Sequence, residues 1–209
     1  MYKSVFYVAT VMVLIGCDGT SLSSLNTKSP QENDTSKTQV SHPHDTTMIE
    51  TRIKKIYLDA INQKRSQNQN CGTSGTKPAV GPLVWNDTLY KSAYEHSEDL
   101  AESGTFSHDG SGTVSDWTAQ VQKLGKGSSV KERIENNGYT NWKNIGENIT
   151  AGTGRDTAEK AMTAWMESDG HCANIMNPNY TEVGMAHVEK VDTNYTHYWT
   201  QNFGSKLTY

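Results

Sequence analysis

The chain has little of several features that would point to a membrane-spanning or nucleic-acid-binding protein. Only 34% of its 209 residues are apolar. Its longest apolar run, near the N-terminus, is shorter than the ~20 residues that a spanning helix needs. The 19 Lys and Arg residues are outnumbered by 23 Asp and Glu residues, and no basic run resembles one that follows phosphates. We therefore expect no nucleic-acid partner and no spanning helix.

Familiar catalytic motifs are also missing. The sequence has no G-x-S-x-G elbow, no H-E-x-x-H, no glycine-rich phosphate loop and no C-x-x-C pair. A hydrolytic activity would need a nucleophile that no motif identifies.

The N-terminal stretch MYKSVFYVATVMVLIGC resembles a bacterial lipoprotein signal peptide. Lys3 precedes an apolar run over residues 5–15, and the segment LIGC has the aliphatic and small residues of a lipobox. We expect residues 1–16 to be removed, and Cys17 to be diacylated and inserted into a lipid bilayer. The protein would then be an extracytoplasmic, membrane-anchored lipoprotein of the cell envelope or surface. An ordinary cleaved signal peptide is the alternative.

Residues 17–47 are rich in Ser, Thr, Asn and Asp and almost free of large apolar side chains. Such a segment cannot bury enough surface to offset its ordering entropy, so we predict a disordered tether. His42 and His44 are interpreted as solvated residues of this tether. The folded domain is expected to span residues 48–209.

The three cysteines allow a simple pairing. With Cys17 acylated, Cys71 and Cys172 remain as an even pair outside the cytoplasm, where disulfides persist. We predict a Cys71–Cys172 disulfide that closes a long loop. This bond would remove the thiolate of Cys172, so the adjacent His171 and Cys172 are not expected to form a catalytic pair.

Hydrophobic periodicity predicts helices first and strands last, an α+β arrangement. The first predicted helix has a buried face from Ile49 to Ile61 that includes Ile53 and Ile56. The second is capped by Asn86, buries Leu89, Ala93, His96 and Leu100, and ends before Gly104. Short helices are predicted near 117–124 and 130–137, and a last helix runs from Asp156 and ends at Asp169-Gly170. Two strands, in 181–190 and 197–204, are predicted to form a hairpin. His96 is interpreted as a core histidine.

Two polar segments, both predicted to be loops, carry side chains of the kinds used in catalysis and metal binding. His108 lies in TFSHDGSG and Glu147 in IGENIT. An imidazole and a carboxylate are typical of an acid/base pair or of a metal site. Their spacing in the sequence does not distinguish these two uses from two unrelated surface positions.

Four blocks in order resemble the CAP (SCP/TAPS) superfamily of cysteine-rich secretory, antigen-five and pathogenesis-related proteins. These are LVWNDTLYKSAYEHSEDLAESGTFSHDG, RIENNGYTNWKNIGENIT, AEKAMTAWMESDGHCANIMNPNYTEVGMAHV and YWTQNFG. They cover about 49–203, and the bacterial single-domain branch is the most similar. The resemblance implies a three-layer α-β-α sandwich with a small, mainly antiparallel sheet.

The resemblance also implies a cleft with two histidines and two glutamates. The first histidine matches His108 and the first glutamate matches Glu147. The second glutamate falls on Ser168, with Glu167 one place short, and the second histidine falls on Tyr198, with His197 one place off. The sequence instead offers His171, so the tetrad is incomplete.

Two functions remain open. His108, Glu147 and His171 can form a hydrogen-bonded network in a non-enzymatic binding module, whose ligand would be a lipid or sterol, a cell-envelope component or a host protein. They can instead hold Zn²⁺, with an open coordination position, in a metal-dependent hydrolase. We favour the first function, which requires no cofactor, with zinc as an optional ligand. A secreted eukaryotic relative, suggested by five Asn-x-Thr sequons, is a third interpretation.

Overall fold

The computed structural model describes residues 51–208. The predicted signal peptide, Cys17 and the tether lie outside the described residues. The helices are α1 (Thr51–Arg65), α2 (Asp87–Ser103), α3 (Trp117–Gln122), α4 (Val130–Asn136), α5 (Ala158–Met166) and α6 (Asp169–Ile175). The strands are β1 (Gln69–Asn70), β2 (Thr76–Lys77), β3 (Val84–Trp85), β4 (Trp142–Ala151), β5 (Glu182–Glu189) and β6 (His197–Lys206).

The main sheet has four strands in the order β3-β5-β6-β4, and β1 and β2 form a separate antiparallel pair. β5–β6 and β6–β4 are antiparallel, and the two-residue β3 adds to β5 in parallel. The prediction of a small, mainly antiparallel sheet is therefore confirmed. β4 is an edge strand, so loops and helices can approach its free side.

Helices cover both faces of this sheet. Alternation along β6 points Thr200 toward α2, where its hydroxyl oxygen accepts a hydrogen bond from Ser97 (2.9 Å), and points Trp199 and Phe203 toward the core shared with α1, α5 and α6. α2 lies so close to β5 that a Cβ at Gly184 would sit 1.9 Å from the α2 backbone. The α+β, three-layer α-β-α fold class is confirmed.

The boundaries of α2 follow its sequence signals. The side chain of Asn86 accepts hydrogen bonds from the backbone N–H groups of Thr88 and Leu89, and Gly104 ends the helix in the left-handed conformation. The predicted face of Leu89, Ala93, His96 and Leu100 is buried. The short helices α3 and α4 also lie where they were expected.

Three local predictions were wrong. In α1, Ile53 and Ile56 are 40% and 39% exposed, because the core covers this helix only from Tyr57 onward. α5 begins at Ala158 and not at Asp156, and the Thr157 side chain caps it by accepting from the N–H of Lys160. Glu147 is not in a loop but in β4, whose central Asn, Gly and Glu residues hide the alternation typical of a strand.

A fourth prediction was also wrong: the sequence predicts that helical structure ends at Asp169-Gly170, but α6 begins there. Asp169 accepts a hydrogen bond from the backbone N–H of Thr73 (2.8 Å), and Cys172 is bonded to Cys71 with a Cα–Cα distance of 5.4 Å. These long-range contacts hold the segment as a helix despite Gly170. The predicted disulfide is thus confirmed, and it links partners 101 residues apart.

Within residues 51–208, no helix combines the length and the apolar character needed to cross a membrane.

Candidate functional site

The site is built around a carboxylate on β4. Glu147 lies opposite Asn202 of β6 in the antiparallel register, so its side chain points to the α2 face of the sheet. The side chain is only 1% exposed. Since a buried carboxylate is costly unless charged or polar donors satisfy it, its neighbours determine what it can do.

Four hydrogen bonds converge on this carboxylate. His108 Nδ1 lies 2.9 Å from Oε1, and Arg133 Nη2 donates to Oε1 (3.2 Å) and Oε2 (3.0 Å). With the Asn202 amide oriented so that its oxygen accepts from the N–H of Ala93, its nitrogen donates to Oε2 (3.0 Å). A carboxylate offers about four acceptor positions, so the acceptor capacity of Glu147 is filled.

The protonation states follow from burial and charge. Burial alone would raise the pKa of the Glu147 carboxyl, but His96, Arg133 and the hydrogen bond with His108 lower it to about 2. Burial lowers the pKa of His96 to about 4, so this histidine is neutral near pH 7. The hydrogen bond to Glu147 raises the pKa of His108. The carboxylate is therefore ionised, with Arg133 as its permanent countercharge.

Arg133 also ties the polar loop to α4. Its guanidinium donates to the carbonyl oxygens of Ser128 (2.6 Å) and His108 (2.7 Å) as well as to Glu147. The α4 N-terminus is fixed by a reciprocal capping box between Ser129 and Glu132. One buried cation thus positions the backbone of the loop that presents His108, while the His108 ring remains half-exposed.

His171 lies on α6, beside the free edge of β4. Its carbonyl oxygen accepts from the Asn148 side chain (3.3 Å), and Asn174 of α6 donates to the Glu147 carbonyl oxygen (3.3 Å). Burial lowers the pKa of His171, and the nearby His108 lowers it further. The grouping of His171 with His108 and Glu147 in one site stays a prediction.

The same residues fit a metal poorly. Across residues 51–208, no group of three or more His, Cys, Asp or Glu side chains is arranged to hold a metal ion. A metal at Glu147 would have to displace Arg133, His108 or Asn202 from an oxygen already bonded to them. Zinc at His108, Glu147 and His171 stays a prediction.

The two displaced tetrad positions do not supply substitutes for the missing side chains. Tyr198 is buried among Leu100, Ala101, Ile149 and Ala151, and its hydroxyl has no hydrogen-bond partner. Ser168 precedes α6 at the N-cap position, but its side chain makes no capping hydrogen bond. Neither residue is placed as a nucleophile or as a ligand by these contacts.

Sequence reasoning missed three members of the network. His96, interpreted only as a core residue, donates from Nε2 to the Ser107 carbonyl oxygen (2.9 Å), and the same nitrogen lies 3.6 Å from Glu147 Oε1. Arg133 and Asn202 were not singled out, although both fall inside the quoted blocks RIENNGY and YWTQNFG. A charged arginine next to Ile134 in a short helix was the available signal for a buried ion pair.

A separate open pocket of about 670 Å³ lies where the loop after β4 meets the outer side of α5 and the β5–β6 connection. Polar and apolar residues both line it: Thr153, Arg155, Lys160, Thr163, Glu167, Asn194 and Tyr195 together with Ala151 and Ala164. Glu167, which lies one place from a tetrad position, belongs to this lining. The pocket offers cations, a carboxylate, an amide and one aromatic ring to a ligand.

The fold and the His108–Glu147 pair define a CAP domain, and sequence comparison agrees. The model of the cysteine-rich secretory protein (CAP) family matches residues 58–203. The chain belongs to this family, which confirms the resemblance seen in the four blocks.

The relatives in sequence are two proteins of Bacillus subtilis (strain 168). The chain is 33% identical to the uncharacterized protein YkwD over 130 residues, 62% of this chain and 42% of YkwD. It is 30% identical to the uncharacterized membrane protein YlbC over 155 residues, 74% of this chain and 35% of YlbC. The chain thus spans less than half the length of these curated relatives.

Two solved structures with the same fold are of bacterial proteins. An extracellular protein containing an SCP domain from Bacillus anthracis str. Ames has a TM-score of 0.53 and 24% identity, covering 79% of this chain and 44% of that one. An outer surface protein from Borrelia burgdorferi has a TM-score of 0.52 and 19% identity, covering 76% of this chain and 97% of that one. At these identities the likeness supports the fold alone.

Proposed function

We propose that this protein is an extracytoplasmic, lipid-anchored CAP-domain protein that binds a ligand and does not catalyse a reaction. The observation that carries the proposal is the filled acceptor capacity of Glu147. A general base or metal ligand needs a free lone pair directed at its target. Here the Glu147 carboxylate is hydrogen-bonded to Arg133, His108 and Asn202. Its role is to hold together α4, the His108 loop and β6, which carry these residues.

The lipid anchor is supported by the lipobox that ends in Cys17. Mass spectrometry of the protein isolated from its own membrane tests this part directly. We expect the mature N-terminus to be Cys17 carrying a diacylglyceryl group, and the variant Cys17→Ala to be released from the membrane. An unmodified N-terminus beyond Cys17, or glycans on the Asn-x-Thr sequons, would contradict it.

The open pocket beside α5 indicates which class of ligand the protein binds. Arg155, Lys160, Glu167 and Asn194 line it together with Tyr195. The apolar body of a sterol or a fatty acid offers these polar groups no hydrogen bonds. A polar component of the cell envelope, such as a glycan strand or its peptide, can instead pair with them and stack on the tyrosine.

Binding to isolated cell-wall polymer tests this ligand class. We expect the protein to sediment with purified cell wall, and Lys160→Ala to weaken binding several-fold. Lys131→Ala is the matched control, because both lysines are exposed on helices and pair with an acid at i,i+4: Lys131 with Glu135, Lys160 with Asp156. Equal loss in both variants would indicate non-specific charge attraction. Binding of the Cys17→Ala variant, which lacks the anchor, to protein-free vesicles instead would favour a lipid ligand.

The hydrolase alternative is tested with the same tag-free protein. Cleavage of a peptide or glycan library that is lost in His108→Ala would overturn the non-enzymatic proposal. Wall binding by the parent protein without any cleavage would support it.

A further inference from the structure

A second pair of histidines faces each other across two neighbouring strands. His187 of β5 lies opposite Trp199 of β6, and His197 is the first residue of β6, so the two histidines are diagonal neighbours. His187 Nε2 and His197 Nδ1 are 3.0 Å apart. Neither residue contributes to the Glu147 network.

This pair lies on the opposite face of the sheet from Glu147. Successive side chains of β6 alternate between the faces, and Thr200 contacts Ser97 of α2 on the Glu147 side. His197 and Trp199 therefore point to the other side, toward α1 and α5. The pair is distinct from the cleft and from the tetrad positions.

The two rings are held by their surroundings. His187 stacks on Trp199 with ring centroids 4.1 Å apart and an interplanar angle of 15°. The Trp199 indole N–H is itself fixed by donating to the Arg155 carbonyl oxygen (2.6 Å). The His197 carbonyl oxygen accepts from the N–H of Gly152 (3.0 Å), which anchors the start of β6. Because both side chains are already ordered, a ligand of the two ring nitrogens would bind with a smaller loss of side-chain entropy.

We propose that His187 and His197 together bind a divalent transition-metal ion such as Zn²⁺. Two nitrogens that each lie about 2.0–2.1 Å from one tetrahedral zinc are about 3.3 Å apart, so the ion replaces the proton between the two rings, which turn until both lone pairs point at it. The carboxylates of Asp156 and Glu189 both interact electrostatically with His187 and favour a cation there. Asp156 is shared with Lys160 (2.7 Å). Water completes the coordination, because the described residues supply no third ligand in position.

Zinc titration of the full chain, purified without a histidine tag, tests this site. His42→Ala and His44→Ala are introduced first, because these tether histidines could bind zinc themselves. By calorimetry at pH 7.5 we expect one Zn²⁺ per chain. His187→Gln or His197→Gln should weaken binding by about 100-fold, since the remaining ligand would then bind without its chelating partner.

His108→Gln and His171→Gln are the matched controls and should bind zinc as the parent does. The proposal fails if no zinc binds up to about millimolar concentration, or if the controls lose the ion while the His187 and His197 variants keep it. Should a variant misfold, ring-nitrogen NMR of the parent chain decides: the His187 and His197 signals must shift at one equivalent of Zn²⁺. Shifts confined to the other histidines would overturn the proposal.

Discussion

The substitution Arg133→Met should be one of the most destabilising single changes in the domain. Both side chains of the Arg133–Glu147 ion pair are only 1% exposed. Burial raises the pKa of Glu147 and its partners lower it to about 2; Arg133 is the charged partner that remains at neutral pH, because His96 is then neutral. Removing one partner of a buried pair typically costs about 3–5 kcal/mol.

A double-mutant cycle measured by urea unfolding with tryptophan fluorescence tests this reasoning. Arg133 also bonds Ser128 and His108, so the single variant alone cannot isolate the ion pair. We expect Arg133→Met/Glu147→Gln to be more stable than the sum of the single variants predicts, by at least about 1.5 kcal/mol. Lys131→Met, an exposed change on the same helix, should cost less than about 0.5 kcal/mol.

The pH profile supplies an independent readout of the same pair. The folded pKa of Glu147 lies below its unfolded value, so its stabilisation is present above about pH 4.5 and is lost as the pH falls toward 2. The stability difference between the parent and Glu147→Gln should shrink over that interval. The reasoning is refuted if Arg133→Met costs under about 1 kcal/mol, or if the cycle shows no coupling.

Three further predictions follow from single contacts. NMR titration should give His108 a pKa above 6.5 that falls in Glu147→Gln, because the hydrogen bond to the carboxylate raises it; an unchanged value would contradict that bond. Replacing both Cys71 and Cys172 by Ala should lower the unfolding free energy by about 4–5 kcal/mol, the loop-entropy value for a closed loop near 100 residues, and unchanged urea unfolding would rule this out. Gly184→Ala should lower the melting temperature or abolish folding, since its Cβ would meet the α2 backbone at 1.9 Å, and an unaltered melting temperature would disprove that close approach.

Much of the fold could be predicted because its signals are local. The cap and stop signals of α2, at Asn86 and Gly104, lie within a few residues of the groups they bond. β4 was missed because its central side chains are polar and are buried by a partner from α4, Arg133, which no local pattern reveals. α6 was missed for a similar reason: Asp169 and Cys172 are held by contacts with Thr73 and Cys71.

By itself, the sequence determined the family, the fold class and the disulfide partners, and it singled out His108 and Glu147, because ordered blocks and residue types carry this information. Only the tertiary structure decided what surrounds Glu147. Arg133, Asn202 and the His108 loop come from three separate parts of the chain, and their convergence fills the Glu147 carboxylate. The meeting of His187 with His197 likewise depends on the register of β5 and β6, which is set by long-range pairing.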